Sequence, residues 1–177
     1  AARQQIISSR SFGSKVTRLS QMRQAICDYT ARVAEKLRQQ QQAAMQITVF
    51  IRTGAQDCQY SNSASSRLAV ASSDTRVLVQ QAMQLLQQIW RDGYSYAKGG
   101  VMLADLRPAD VLQPDLFAAP QQQRASTALM QTIDAINNSG KGRIFLAGQG
   151  VQQEWSMRRQ FLSPAYTTKW QDIPLVR

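Results

Sequence analysis

Between Met22 and Leu37 an apolar residue recurs every third or fourth position: Met22, Ile26, Tyr29, Val33 and Leu37. That spacing draws one stripe along a helix, with Arg18, Arg23, Arg32, Lys36 and Arg38 off it. Ser20 is the expected N-cap, and the Gln39–Gln42 run ends the helix or carries it into a loop. Ahead of it, residues 3–17 mix β-branched and aromatic side chains with Ser, which predicts a long strand bulged or bent near Gly13. QITVFIRT (residues 46–53) is the clearest strand and is closed by Gly54. A polar loop is expected from Ala55 to Ser66, then a short strand over RLAVA (residues 67–71). Asp74 is placed to cap a second helix, whose buried side is Leu78, Ala82, Leu85, Leu86 and Ile89. Trp90 closes the core at its end, and Gly93 stops it. Residues 94–106 read as a last strand, with Gly99-Gly100 as a bulge.

The pattern is thus β-α-β, a loop, and β-α-β again. Two such units predict an α+β fold of the split βαβ kind: four strands, both helices on one face, the other face bare. Beyond Pro108 the character changes. Gln113-Pro114-Asp115-Leu116-Phe117 lies between turn signals, and Pro114 disfavours a helix there. Its Leu-Phe pair either meets a partner or packs back on its own domain. A short helix is expected from Ser126, with Leu129, Met130, Ile133 and Ile136 on its apolar side, ended by NNSG (residues 137–140). RIFLA (residues 143–147) reads as a strand, residues 153–162 as helical, and residues 163–170 as extended. Gly148-Gln149-Gly150 has the spacing of neither a dinucleotide fingerprint nor a P-loop. So small a region does not bury Phe145, Trp155, Phe161, Tyr166 and Trp170 unaided, so it is expected to dock on the first unit or on another protein. The organisation expected is 1–108, a linker 109–125, and a tail 126–177.

Charge changes the picture most. The chain of 177 residues carries a net +10 on dispersed Arg and Lys, which points to a phosphate-rich partner, nucleic acid before membrane. No run is long and apolar enough to span a bilayer. Arg10, Lys15, Arg52, Arg67 and Lys98 fall on or beside predicted strands, accompanied by Ser8, Ser9, Ser11 and Ser66. Small hydroxyls let a phosphate backbone come close, and the cations give affinity independent of sequence. There is no His, which removes His-based acid–base chemistry and most zinc sites. The acids are scattered among caps, loops and helix surfaces; Asp105 and Asp110 flank a Pro turn without a third ligand. Catalytic residues, metal ligands and cofactors are therefore expected to be none in this chain. Cys27 and Cys58 are too few for a disulfide framework, and a reduced, cytosolic compartment fits. A start at Ala1-Ala2-Arg3 reads as a piece of a longer protein.

Several stretches carry a resemblance: RQQIISSRSFG (3–13), MRQAICDYTARVAEKLR (22–38), YSNSAS (60–65), SYAKGGVMLAD (95–105) and FLAGQGVQQEWSMRRQFLSPAYTTKW (145–170). In these the chain resembles the C-terminal portion of UmuC-type proteins, the catalytic subunits of the error-prone SOS polymerase called DNA polymerase V, a group with MucB, RumB, ImpB and SamB. The resemblance implies that residues 3 to about 108 are the little finger of a Y-family polymerase, its bare sheet holding damaged primer-template DNA, with Arg10, Ser11, Phe12 and Gly13 as a DNA contact. It implies a peptide for the beta sliding clamp at Gln113, Leu116 and Phe117, although Pro114 stands where hydrophobic residues are common. It also implies tail contacts with a processed UmuD-type dimer and the RecA filament, through Gln149, Gly150, Trp155, Arg158, Arg159, Tyr166, Thr167 and Thr168. The two magnesium ions of nucleotidyl transfer would belong to a palm domain of the parent polymerase, so this chain alone is expected to lack polymerase activity, and its place is the bacterial cytoplasm, on DNA. The alternative is a scaffold that binds the clamp without touching DNA.

Overall fold

In the computed structural model, residues 4–109, 120–140, 142–151 and 153–157 are described, the side chains of 120–124 excepted. The elements follow the order β1 (Gln5–Val16), α1 (Leu19–Gln39), β2 (Gln42–Thr53), β3 (Ser61–Ser72), α2 (Thr75–Ile89), β4 (Tyr96–Pro108) and α3 (Pro120–Asn138). The four strands form one antiparallel sheet in the order β1-β4-β2-β3. This is the α+β, split βαβ arrangement that the periodicity predicts, with α1 and α2 packed on one face of the sheet.

The core lies between that face and the two helices. Met22, Ile26, Tyr29, Val33 and Leu37 of α1 and Leu78, Ala82, Leu85, Leu86 and Ile89 of α2 are all buried. They meet Ile6, Ile47, Val49, Ile51, Val101 and Leu103, every second residue of their strands, as the pleat requires. At one end Trp90 stacks on Tyr96 with ring centroids 4.7 Å apart, and the Tyr60 hydroxyl donates to the carbonyl of Ile89 at 2.7 Å.

Several expectations are corrected. Ser20 does not cap α1: the cap position is Arg18, which makes no side-chain capping bond, while Asp74 does cap α2 by accepting from the Arg76 N–H at 2.8 Å. The expected loop over residues 55–66 is shorter, because β3 begins at Ser61 and pairs with β2 through its serines. Gly99 and Gly100 sit in regular register rather than in a bulge. They are there for room: a Cβ on Gly100 would collide with the Phe50 ring, and one on Gly99 would lie 3.1 Å from Phe12 Cζ. The irregularity is in β1, where the register shifts between Ser11 and Val16, around Gly13.

After β4, α3 starts at Pro120, ahead of the expected Ser126. Of its expected apolar side only Met130 is buried, while Leu129 and Ile136 are exposed. α3 is held to α1 by a fork: Arg38 donates to both Asp134 carboxylate oxygens, at 2.6 and 2.7 Å. No strand forms over RIFLA. Amide side chains take up part of its backbone instead, Asn137 bonding both N–H and C=O of Ile144 and Gln149 Oε1 accepting from the Leu146 N–H at 2.8 Å. A single 3-10 turn, Ala147–Gln149, follows. The helix expected over 153–162 does not form over its described part, residues 153–157, where Ser156 N–H donates to the Gln153 carbonyl in a turn; residues 158–162 and the extended stretch 163–170 lie outside the described residues.

Candidate nucleic-acid interface

Because strands alternate faces, the ladder register sorts the residues of the regularly paired stretch of the sheet. The rows on the helix side are Ile6–Leu103–Ile47–Ser66, Ser8–Val101–Val49–Ala64 and Arg10–Gly99–Ile51–Asn62. The rows on the open side are Gln5–Ala104–Gln46–Arg67, Ile7–Met102–Thr48–Ser65, Ser9–Gly100–Phe50–Ser63 and Ser11–Lys98–Arg52–Ser61. None of the residues in the open rows is acidic. Lys98 and Arg52 are adjacent partners on neighbouring strands and form no ion pair among the described residues. Arg67 lies at the opposite end, six residues along the strands and so about 20 Å away. It is shared with Asp105, at 3.2 Å, which also contacts Arg107 at 3.5 Å. Cations at both ends, with Ser and Thr hydroxyls between them, can meet several phosphates of one backbone rather than a single anion.

The predicted DNA-contact residues divide accordingly. Ser11, Arg52, Arg67 and Lys98 come together on the open face. Arg10 belongs to the helix-side row, near enough for its charge to act on the buried Tyr29 hydroxyl. Phe12 packs against Trp155 edge-on at 6.4 Å, and the Gly13 N–H donates to the Trp155 carbonyl at 3.2 Å. Lys15 is tied to Asp57 at 2.6 Å. Adjacent strand residues face opposite ways, so a run such as Arg10–Gly13 cannot present all its side chains to one surface. Ser8 and Ser66 likewise fall on the helix-side rows. The sequence reading missed Thr48, Phe50, Ser61, Ser63 and Ser65. The alternation within QITVFIRT signals the first two, but serines have little strand propensity and nothing local announced the rest.

Two residues further along the tail, Gln149 and Trp155, turn inward. Gln149, 5 % exposed, donates from Nε2 to Oδ1 of Asp28 at 3.0 Å, while Arg32 Nε donates to Oδ2 at 2.7 Å. Gly150 has φ +71 and lies against Gln24, so a side chain would be both strained and obstructed there. Trp155, 3 % exposed, sits edge-on to Tyr29 at 5.7 Å, and Glu154 accepts from Gln21 Nε2 at 3.1 Å. Burial, with help from the Asp28 charge, pushes the neighbouring Cys27 thiol up to about 11 and also raises the Tyr29 hydroxyl. Gln113, Leu116, Phe117, Arg158, Arg159, Tyr166, Thr167 and Thr168 lie outside the described residues. Among the described residues no acidic or cysteine side chains gather where three could hold a metal ion. No helix among them is long and apolar enough to cross a membrane.

Residues 3–116 match the profile described as the impB/mucB/samB family C-terminal domain, and residues 127–176 match a domain of unknown function. Over 180 residues the chain is 46% identical to protein ImpB of Salmonella typhimurium, covering 99% of this chain and 42% of that protein. It is 48% identical over 177 residues to protein MucB of Escherichia coli, covering 98% and 42%. Against protein UmuC of Salmonella typhimurium it is 42% identical over 180 residues, covering 99% and 43%. The chain therefore spans less than half the length of these relatives.

Proposed function

This chain belongs to the impB/mucB/samB family, and from that premise we propose that it is the DNA-holding and partner-recruiting part of an error-prone translesion DNA polymerase of the SOS response. In this reading residues 1–108 are the little finger, working on DNA in the bacterial cytoplasm. The observation that carries it is the open sheet face: Arg52 and Lys98 stand among hydroxyls with no ion-pair partner among the described residues, Arg67 at the far end is shared with Asp105, and the helices cover the other face. Such a surface attracts a phosphate backbone without reading its sequence.

Recruitment is assigned to the parts beyond β4. Gln113 would give the amide hydrogen bonds and Leu116 and Phe117 the apolar anchors for the beta sliding clamp. The tail would meet the processed UmuD-type dimer and the RecA filament through Arg158, Arg159, Tyr166, Thr167 and Thr168. Gln149 and Trp155, expected in the same contacts, are buried against α1 in this chain.

The test is fluorescence anisotropy with a primer-template duplex over a salt series. If Arg52, Lys98 and Arg67 neutralise about three phosphates, a fourfold rise in salt lowers affinity roughly 40-fold. Clamp binding is measured in parallel with Leu116→Ala, Phe117→Ala, where loss of such anchors costs about 2 kcal/mol or more. Clamp binding with absent or salt-insensitive DNA binding would favour the scaffold alternative instead.

A further inference from the structure

Beyond Ala104 the two faces of the sheet exchange. Gln46 and Ala104 pair in an open row, so regular alternation would put the next pair on that side, Ala44 and Leu106, on the open face too. Instead Ala44 belongs to the core and Leu106 packs against it. Between the two rows Asp105 has φ +50, in the left-handed region, and β3 shifts its register against β2 at the same level. Such a residue inside a strand re-aims the side chains beyond it, as a bulge does. With Leu106 turned to the helix side, the next residue, Arg107, is turned to the open side. There one carboxylate gathers two arginines: Asp105 Oδ2 lies 3.2 Å from Nη2 of Arg67 in the open row, and its Oδ1 lies 3.5 Å from Nε of Arg107. Both arginine side chains are more than half exposed.

Charge decides what this group can do. Arg67 with Asp105 alone has no net charge, and a neutral pair draws no phosphate to this end of the face. Arg107 makes the group net positive by one, enough to neutralise one phosphate. We infer that Arg107 is a further DNA-contacting residue, forming with Arg67 and Asp105 a site for one backbone phosphate of the duplex, and that Asp105 is the positioning residue that holds Arg107 on the open face through its backbone. This rests on the DNA-holding reading above and supplies the cation that its third phosphate requires. An acidic residue suits the position, because Asp and Asn enter the left-handed region far more readily than branched side chains do.

The experiment is fluorescence anisotropy with a primer-template duplex over a salt series. Arg107→Ala should lower the salt slope by about 0.9 and weaken binding roughly 5- to 10-fold near 0.1 M salt. A fourfold rise in salt then costs it roughly 12-fold in affinity instead of roughly 40-fold. Arg10→Ala removes the same charge from the helix side and should leave the slope unchanged. Asp105→Asn and Asp105→Val remove one negative charge each, but only Asn accepts the positive φ. The slope of Asp105→Val should therefore lie about one unit below that of Asp105→Asn, and adding Arg107→Ala should lower the slope only in the Asn background. Arg107→Ala matching Arg10→Ala, or equal slopes for Asn and Val, overturns the inference while leaving DNA holding intact. Wild type without salt-dependent duplex binding overturns both readings. Thermal denaturation checks each variant, and the comparison of Arg107→Ala with Arg10→Ala carries the test if Asp105→Val does not fold.

Discussion

Gln149 donates its side-chain amide to Asp28, a buried carboxylate on α1, across a sequence separation of 121 residues. The contact makes the described part of the tail around Gln149 part of the first unit's structure. Arg32 satisfies the other carboxylate oxygen, so Asp28 is an ion pair completed from outside its own helix.

Replacing Gln149 by Leu should therefore destabilise the whole fold, not only the tail. A buried charged acceptor that loses a donor costs about 1–3 kcal/mol. Gln149→Glu should cost more, because it sets a second carboxylate against Asp28. Equilibrium urea denaturation reads both; unchanged midpoints would mean that the tail contact contributes nothing.

Trp155 makes the same point through packing. Its ring lies edge-on to Phe12 and Tyr29, and its carbonyl accepts from Gly13 in the irregular part of β1. Trp155→Ala should cost about 3–5 kcal/mol. For a chain of this size that lowers the thermal midpoint by about 10 °C. Trp155→Phe should recover part of the loss, which differential scanning calorimetry resolves.

The two thiols should separate by reactivity. Cys27 is buried and its thiol is pushed up to about 11, whereas Cys58 is exposed. The thiolate is the reactive form. At pH 8 a thiol reagent should label Cys58 rapidly in the native chain and reach Cys27 only as it unfolds, giving one fast equivalent and a second in denaturant. Two fast equivalents would mean that the tail does not stay closed over α1.

These contacts also mark what the sequence could and could not disclose. The apolar stripes of α1 and α2 and the alternation in QITVFIRT were legible because each repeats the period of its own element. The serines of β3 were not, because their strand is held by pairing with β2 and not by their own propensity. Gly99 and Gly100 read as a bulge since a glycine pair signals irregularity; only the neighbouring rings show that they make space. RIFLA has a strand's composition, yet Asn137 and Gln149 satisfy its backbone instead of another strand. The open face was expected, but its membership required the register, which no single strand contains.

Asp74 gives a pH prediction. Burial alone would raise its carboxyl, but hydrogen bonds from the Arg76 side chain, Ser126 and the Arg76 N–H, with the Arg76 charge, hold it below the ordinary carboxylate value. A depressed folded value stabilises the protein above the ordinary value near 3.8 and loses that stabilisation as pH falls through the folded one. Asp74→Ala should cost about 1 kcal/mol at neutral pH as a lost cap. The gap between variant and wild type should narrow below pH 4, as followed by urea midpoints across a pH series. A gap constant with pH would mean that the charge of Asp74 is not what caps α2.

Charge reversal on the two faces separates position in the sheet from position in the sequence. Arg10 and Ser11 are neighbours in the chain, but Ser11 shares its open row with Lys98 and Arg52, while Arg10 shares a row with Gly99 and Ile51 on the helix side. Lys98→Glu and Arg52→Glu each remove one phosphate-neutralising charge and add a repulsive one, so each should weaken DNA binding at least about 10-fold and lower the salt slope by about one. Arg10→Glu changes the net charge of the chain by the same amount, yet it should weaken binding only about twofold, through the long-range field alone. Anisotropy titrations of the three variants at two salt concentrations decide the matter. Losses that follow net charge and ignore the face would mean that DNA meets this protein as a diffuse cation; losses confined to Lys98 and Arg52 would place the backbone on the open sheet.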